Sequence, residues 1–186
     1  MSVTASPPGS SSRRSALKTF LVGALLAGVG GTVAFVRGRG YTVDRRNPLV
    51  SLSAWELAVF EHAARRIAAP DRPGDPRIPS VDDVDVVSFI DGYLARMMPP
   101  MRRDLSRALL YLEQVAPLTI GKTARFTELA SDDQDRVLEG LETSPIMLLR
   151  GAFVGIKSLV FMGYYRDART WKIIGYDGPW VGKSKP

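Results

Sequence analysis

Cysteine is absent from the 186 residues, and histidine occurs once, at His62. The first absence excludes disulfides, CxxC zinc sites, thiolate-held iron–sulfur clusters and covalently attached c-type haem, and the second excludes a His-rich metal site. A basic folded face is also missing. The chain carries a net charge of +6, but residues 1–46 hold seven Lys/Arg against the single acid Asp44 and so account for all of it. The remaining 140 residues carry eighteen basic and eighteen acidic side chains. A nucleic-acid-binding domain needs a basic surface of its own, so DNA and RNA are not expected partners. A neutral stretch of this length is one ordinary domain with a single core.

The basic segment has a pattern. Ser12-Arg13-Arg14-Ser15-Ala16-Leu17-Lys18 directly precedes an apolar run over residues 19–36. Paired arginines before such a run form a twin-arginine export signal, carried here by Arg13, Arg14, Leu17 and Lys18 and read by a receptor rather than by the bilayer. Residues 1–46 are therefore expected to be export signal and connector, and residues 47–186 the folded domain, placed on the periplasmic side of the cytoplasmic membrane. No A-x-A cleavage site follows; Thr32-Val33-Ala34 and Gly28-Val29-Gly30 are the nearest approximations. Eighteen apolar residues almost suffice to span a bilayer, so membrane anchoring through this segment and release after cleavage both stay open. Lys/Arg flank the run on both sides and do not set an orientation. Gly28, Gly30 and Gly31 lack the strand–helix context of a dinucleotide fingerprint.

Beyond a Gly-containing connector at 37–48, the periodicity is helical. Ser53 and Glu56 have capping-box spacing, and Leu52, Trp55, Val59, Ala63 and Ile67 follow on one stripe, predicting a helix over about 53–69. Asp82 is expected to open a second over about 82–98, with Val84, Val87, Ile90, Leu94 and Met97 at spacings of three and four. Pro99-Pro100 starts a third over about 100–115, with Met101, Leu105, Leu109 and Leu112 as its row. Ser131 and Gln134 read as another capping box, opening a short helix that ends near Glu142. An apolar helix over about 146–164 follows, in which Arg150 and Lys157 argue for a buried central helix rather than a membrane span. No strand alternation of useful length occurs. The expected class is all-α, a bundle of about five helices followed by an irregular aromatic tail from about residue 166.

Few residues invite chemistry. Asp82, Asp83 and Asp85, like Asp132, Asp133 and Asp135, sit where a helix dipole favours acids, and no calcium-loop pattern accompanies them. His62 falls at the margin of its stripe with no nucleophile motif, so edge packing is expected. Met97, Met98 and Met101 read as core filling rather than haem ligands. No catalytic, metal or cofactor-binding residue is assigned. Two segments instead suit a partner. Pro70, Pro73, Pro76 and Pro79 recur every third residue, as along one edge of a polyproline II arm, which makes Pro73 and Pro76 candidate contacts. Trp171, Tyr176 and Trp180 surround the turn-rich Gly175-Tyr176-Asp177-Gly178-Pro179, and large aromatics dominate interface energies; Trp171, Tyr176, Gly178 and Trp180 are the candidate anchors.

These features resemble the small third subunit of gluconate 2-dehydrogenase and related membrane-associated flavin dehydrogenases. The resemblance rests on Ala64-Arg65-Arg66-Ile67 leading to Pro70-Asp71 and Pro73-Gly74, then on Val87, Phe89-Ile90-Asp91 and Leu94. It continues through Phe126, Leu129 and the following Ser-Asp-Asp-Gln, and ends in Trp171 and Gly175-Tyr176-Asp177-Gly178-Pro179. It covers about residues 50–180. It implies a non-catalytic subunit that binds and stabilises a flavoprotein large subunit of the glucose–methanol–choline oxidoreductase type and supplies the twin-arginine signal for both. It also implies FAD in that partner, a cytochrome c subunit carrying haem c as a third member, and engagement of the twin-arginine translocase. The complex would oxidise a sugar, sugar acid or alcohol. Two other classes stand beside it: a stand-alone membrane-tethered envelope protein, and an autonomous enzyme using carboxylates such as Asp82 and Asp91.

Overall fold

Ser53 begins the first helix as expected. Its N–H donates to the Glu56 carboxylate at 2.8 Å, its hydroxyl donates to the same oxygen, and α1 runs over Ala54–Ile67. The computed structural model describes residues 40–41, 48–69 and 78–179. Every regular element among the described residues is a helix, and they contain no strand. After α1 come α2 (Val86–Leu94), α3 (Pro99–Gln114), α4 (Ser131–Glu142), α5 (Met147–Tyr164) and a single turn, α6 (Ala168–Trp171). Short 3-10 turns at Ala116–Ile120 and Phe126–Glu128 join α3 to α4, and a third, Lys172–Ile174, follows α6. The all-α class is as the sequence predicts.

Both α1 and α5 occupy the centre of the bundle: α1 packs against α2, α3, α4 and α5, and α5 against α1, α2, α3 and α4. Phe60, Phe126, Ile90, Leu94, Leu109, Leu112 and Ile156 are the large side chains sealed inside. The buried face of α1 is Leu57, Val59, Phe60, Ala63 and Ala64, rotated from the predicted stripe so that Trp55 and Ile67 lie only at its margin. Where α5 crosses α2 the backbones nearly touch. A Cβ on Gly163 would stand 2.7 Å from Val86 Cγ1, so only glycine fits there without a shift.

Three local expectations change. The second helix begins at Val86, not Asp82, because the preceding acids are used elsewhere: Asp82 pairs with Arg65 at 3.1 Å, and Asp83 accepts the Ser80 N–H at 2.8 Å. Asp85 turns left-handed (φ 48°) and caps the helix by accepting from Ser88 N–H at 3.3 Å. Gln134 makes no capping box. Its amide is buried, donating to the Phe126 carbonyl at 2.9 Å and facing His62 Nδ1 at 3.0 Å, while Ala130 holds the cap position. Finally, α5 is not wholly buried. Leu149, Phe153, Ile156 and Val160 enter the core, but Met147 (77% exposed), Leu148 and Val154 (58%) face outward beside exposed Gly151 and Gly155. By length and composition α5 matches a membrane span, with mean hydropathy 1.3, yet it also supports four other helices.

Candidate functional site

The two carboxylates buried in the described domain are engaged with the chain itself. Asp91, on the apolar face of α2, is 4% exposed and accepts three consecutive backbone N–H groups: Val50 at 2.7 Å, Ser51 at 2.9 Å and Leu52 at 2.7 Å. A carboxylate offers about four acceptor positions, so this one is largely filled by the segment that leads into α1. Glu113, fully buried on α3, accepts the Tyr41 hydroxyl together with Thr127 N–H at 3.1 Å and Thr127 hydroxyl at 2.8 Å. Arg125 lies 4.9 Å over the Tyr41 ring. Tyr41 is thus stitched to the domain within the stretch expected to serve as a loose connector. Burial, with the Glu113 hydrogen bond second, pushes its phenol up to about 12, so it stays a donor at any physiological pH.

His62 is half-buried beside this cluster, and burial first, then the charge of Arg65, lowers its pKa. A neutral ring accepting from Gln134 at Nδ1 is a packed edge residue, in keeping with the sequence expectation. Asp82 and Asp91, the carboxylates an autonomous enzyme would use, point to different tasks: one faces Arg65 near the surface, the other holds the arm. Among the described residues no three of His, Asp and Glu converge in a metal-holding group.

The C-terminal segment is folded back. Tyr164 hydroxyl donates to the Pro79 carbonyl at 2.7 Å, tying α5 to the end of the proline-rich stretch, and Arg166 donates to the Val84 carbonyl at 3.1 Å while lying over the Phe89 ring. Thr170 hydroxyl caps Asp167 carbonyl at 2.8 Å. The indole N–H of Trp171 donates to the Tyr165 carbonyl at 2.8 Å, and the Tyr176 ring stands edge-on to Trp171 at 5.3 Å. Trp171 is therefore half-buried on its own domain, whereas Tyr176 (41% exposed), Ile173 and Ile174 remain at the surface. Gly178 is buried with φ 96°, a left-handed position that a side chain would strain. Arg13, Arg14, Leu17, Lys18, Pro73, Pro76 and Trp180 lie outside the described residues.

Sequence reasoning missed both buried carboxylates as anchors. The available signal was an acid inside an apolar row, Asp91 between Ile90 and Leu94 and Glu113 after Leu109 and Leu112, which calls for a buried partner. It also missed the exposed side of α5, an apolar strip of the sort that marks interaction surfaces. The methionines differ as well: Met98 (66% exposed) and Met101 stand outside the core.

No curated protein and no solved structure matches the chain. The sequence model of one family, described as gluconate 2-dehydrogenase subunit 3, matches residues 54–178, from the first residue of α1 to the buried Gly178. That span includes α1 to α6, Asp91, Glu113 and the aromatic turn, and the chain belongs to the gluconate 2-dehydrogenase subunit 3 family.

Proposed function

We propose that this chain is the non-catalytic small subunit of a periplasmic flavin dehydrogenase complex, that it binds and stabilises the flavoprotein large subunit, and that its twin-arginine leader carries both across the membrane. The observation that carries this reading is the pairing of a subunit-family domain over 54–178 with the Arg13-Arg14 signal that precedes it. The interior supports it, because Asp91 and Glu113 are engaged in holding the fold. So does the surface: the strip of α5 and the patch at Ile173, Ile174 and Tyr176 offer apolar area for a large partner. Redox chemistry then belongs to FAD in the large subunit, and electrons leave through a cytochrome c subunit.

The twin-arginine receptor accepts folded cargo, which fits a flavoprotein loaded in the cytoplasm before transport. The test is the double substitution Arg13→Lys with Arg14→Lys. Both subunits and the dehydrogenase activity are expected to remain in the cytoplasm, read by fractionation and activity assay. Unaltered export of the flavoprotein would refute the escort role.

A further inference from the structure

Arginines on the described surface divide into three sets, one of which, Arg150 and Arg166, donates to the main-chain carbonyls of Ser144 and Val84. Arg65, Arg66, Arg107, Arg125, Arg136 and Arg169 each reach a carboxylate within 3.2 Å. Arg96, Arg102 and Arg103 reach none among the described residues, and they cluster between the end of α2 and the first turns of α3. Arg102 is the more telling: its Nε is buried with no partner, and its one side-chain hydrogen bond among the described residues runs from Nη1 to the Ser51 hydroxyl at 3.5 Å. A shielded guanidinium N–H without an acceptor is costly unless something arrives to accept it.

Arg102 and Arg103 line an open recess of about 250 Å³ whose apolar walls include Leu52, Leu94 and Pro99. Glu56 also borders it, but its carboxylate is turned to the Ser53 N–H and hydroxyl. Ser51 forms part of the wall and is held in place through its own N–H by Asp91. In sequence the lining residues are flanked by Val50 (72% exposed), Met98 and Met101, all at the surface. Unbranched methionine side chains adapt to a partner's contour.

We propose that this recess seats an acidic peptide segment of the dehydrogenase large subunit, one carboxylate entering between Arg102 and Arg103 while neighbouring apolar side chains rest on Met98, Met101 and Val50. The assignment rests on the subunit reading above and names its surface. The two guanidinium groups without a carboxylate partner are complementary to an anion, Arg presents a planar fork suited to a carboxylate, and the recess is concave. A peptide side chain enters such a recess, whereas a flat bilayer meets only its rim.

The test uses the full-length chain and the flavoprotein that co-purifies with it, titrated against each other at several salt concentrations. Arg103→Glu changes an exposed residue, and Arg102→Ala with Arg103→Ala removes both guanidinium groups. Each is expected to weaken the complex about tenfold or more and to flatten its salt dependence, as the loss of a charged contact does; circular dichroism confirms the fold. Equal affinity and slope for Arg103→Glu overturn the proposal while leaving the subunit reading intact. A wild-type chain that binds no flavoprotein overturns both. If Arg103→Glu abolishes sedimentation with phosphatidylglycerol vesicles but leaves the complex unchanged, the surface belongs to the membrane and the peptide seat is wrong.

Discussion

The two ends of the folded domain are fastened by different chemistry. The N-terminal arm is held by charge: buried Asp91 accepts the N–H groups of residues 50–52, and buried Glu113 accepts the Tyr41 hydroxyl. The C-terminal segment is held without a buried carboxylate: Trp171, Tyr164, Thr170 and the Arg166 guanidinium donate to main-chain carbonyls, and Tyr176 leans on Trp171. A buried carboxylate is all-or-none, because any partner it loses leaves a charge or an N–H unsatisfied in a low-dielectric interior. The Tyr165 carbonyl that accepts the Trp171 indole sits at a part-buried contact, where water can replace the donor at little cost. The arm therefore behaves as part of the core, and the tail as a cover that stays adjustable. That division suits the proposed role, in which a leader precedes the arm and a partner meets the tail.

The strongest challenge to this contrast is Asp91→Ala, which orphans three N–H groups at once. With about 1–3 kcal/mol for the buried Leu52 donor and about half that for the part-buried Val50 and Ser51 donors, unfolding by urea is expected to show a loss of about 3–4 kcal/mol. Glu113→Ala comes next, at about 3 kcal/mol, and it should also speed hydrogen exchange at the Thr127 amide, which donates to that carboxylate. Unchanged exchange there would separate Thr127 from the buried acid. At the other end Trp171→Phe keeps one aromatic ring but removes the indole N–H and part of the ring area, so about 1–2 kcal/mol is expected. A loss equal to that of Asp91→Ala would erase the contrast.

Smaller effects come from pH. The folded state raises the Tyr41 pKa from 10.0 to about 12 and thus favours the protonated phenol. Its contribution is complete below pH 10 and disappears as pH rises through 12. His62 works in the opposite direction: its folded pKa is lowered from 6.5, so stability is present above that value and declines as pH falls below it. Tyr41→Phe should flatten the alkaline limb of a stability–pH curve, and His62→Gln the acid limb.

Much of the fold was legible because local signals and tertiary packing agree. Ser53 with Glu56 starts α1, and Pro99-Pro100 starts α3. Local reading failed where long-range partners redirect a side chain. Ser131 and Gln134 have the spacing of a cap, but Gln134 is drawn inward to Phe126 and His62. Asp82 looks like the first acid of a helix, but Arg65, 17 residues earlier, takes it. The partners of Asp91 lie 39 to 41 residues away, beyond any helical period, so the pattern could flag the acid without naming what it binds. The same holds for α5, whose apolar residues read alike in sequence while only some meet neighbours. The candidate anchors were legible as aromatics, but the engagement of the Trp171 indole depends on a fold-back at Tyr165 that periodicity does not encode.

The most direct measurement is native purification of the chain from the cell envelope, followed by subunit identification, a flavin absorbance spectrum and an activity assay of the separated chains. The account predicts a flavin-bearing large subunit in the same complex, with dehydrogenase turnover residing in that subunit. Turnover by this polypeptide alone, after complete removal of the flavoprotein, would contradict it.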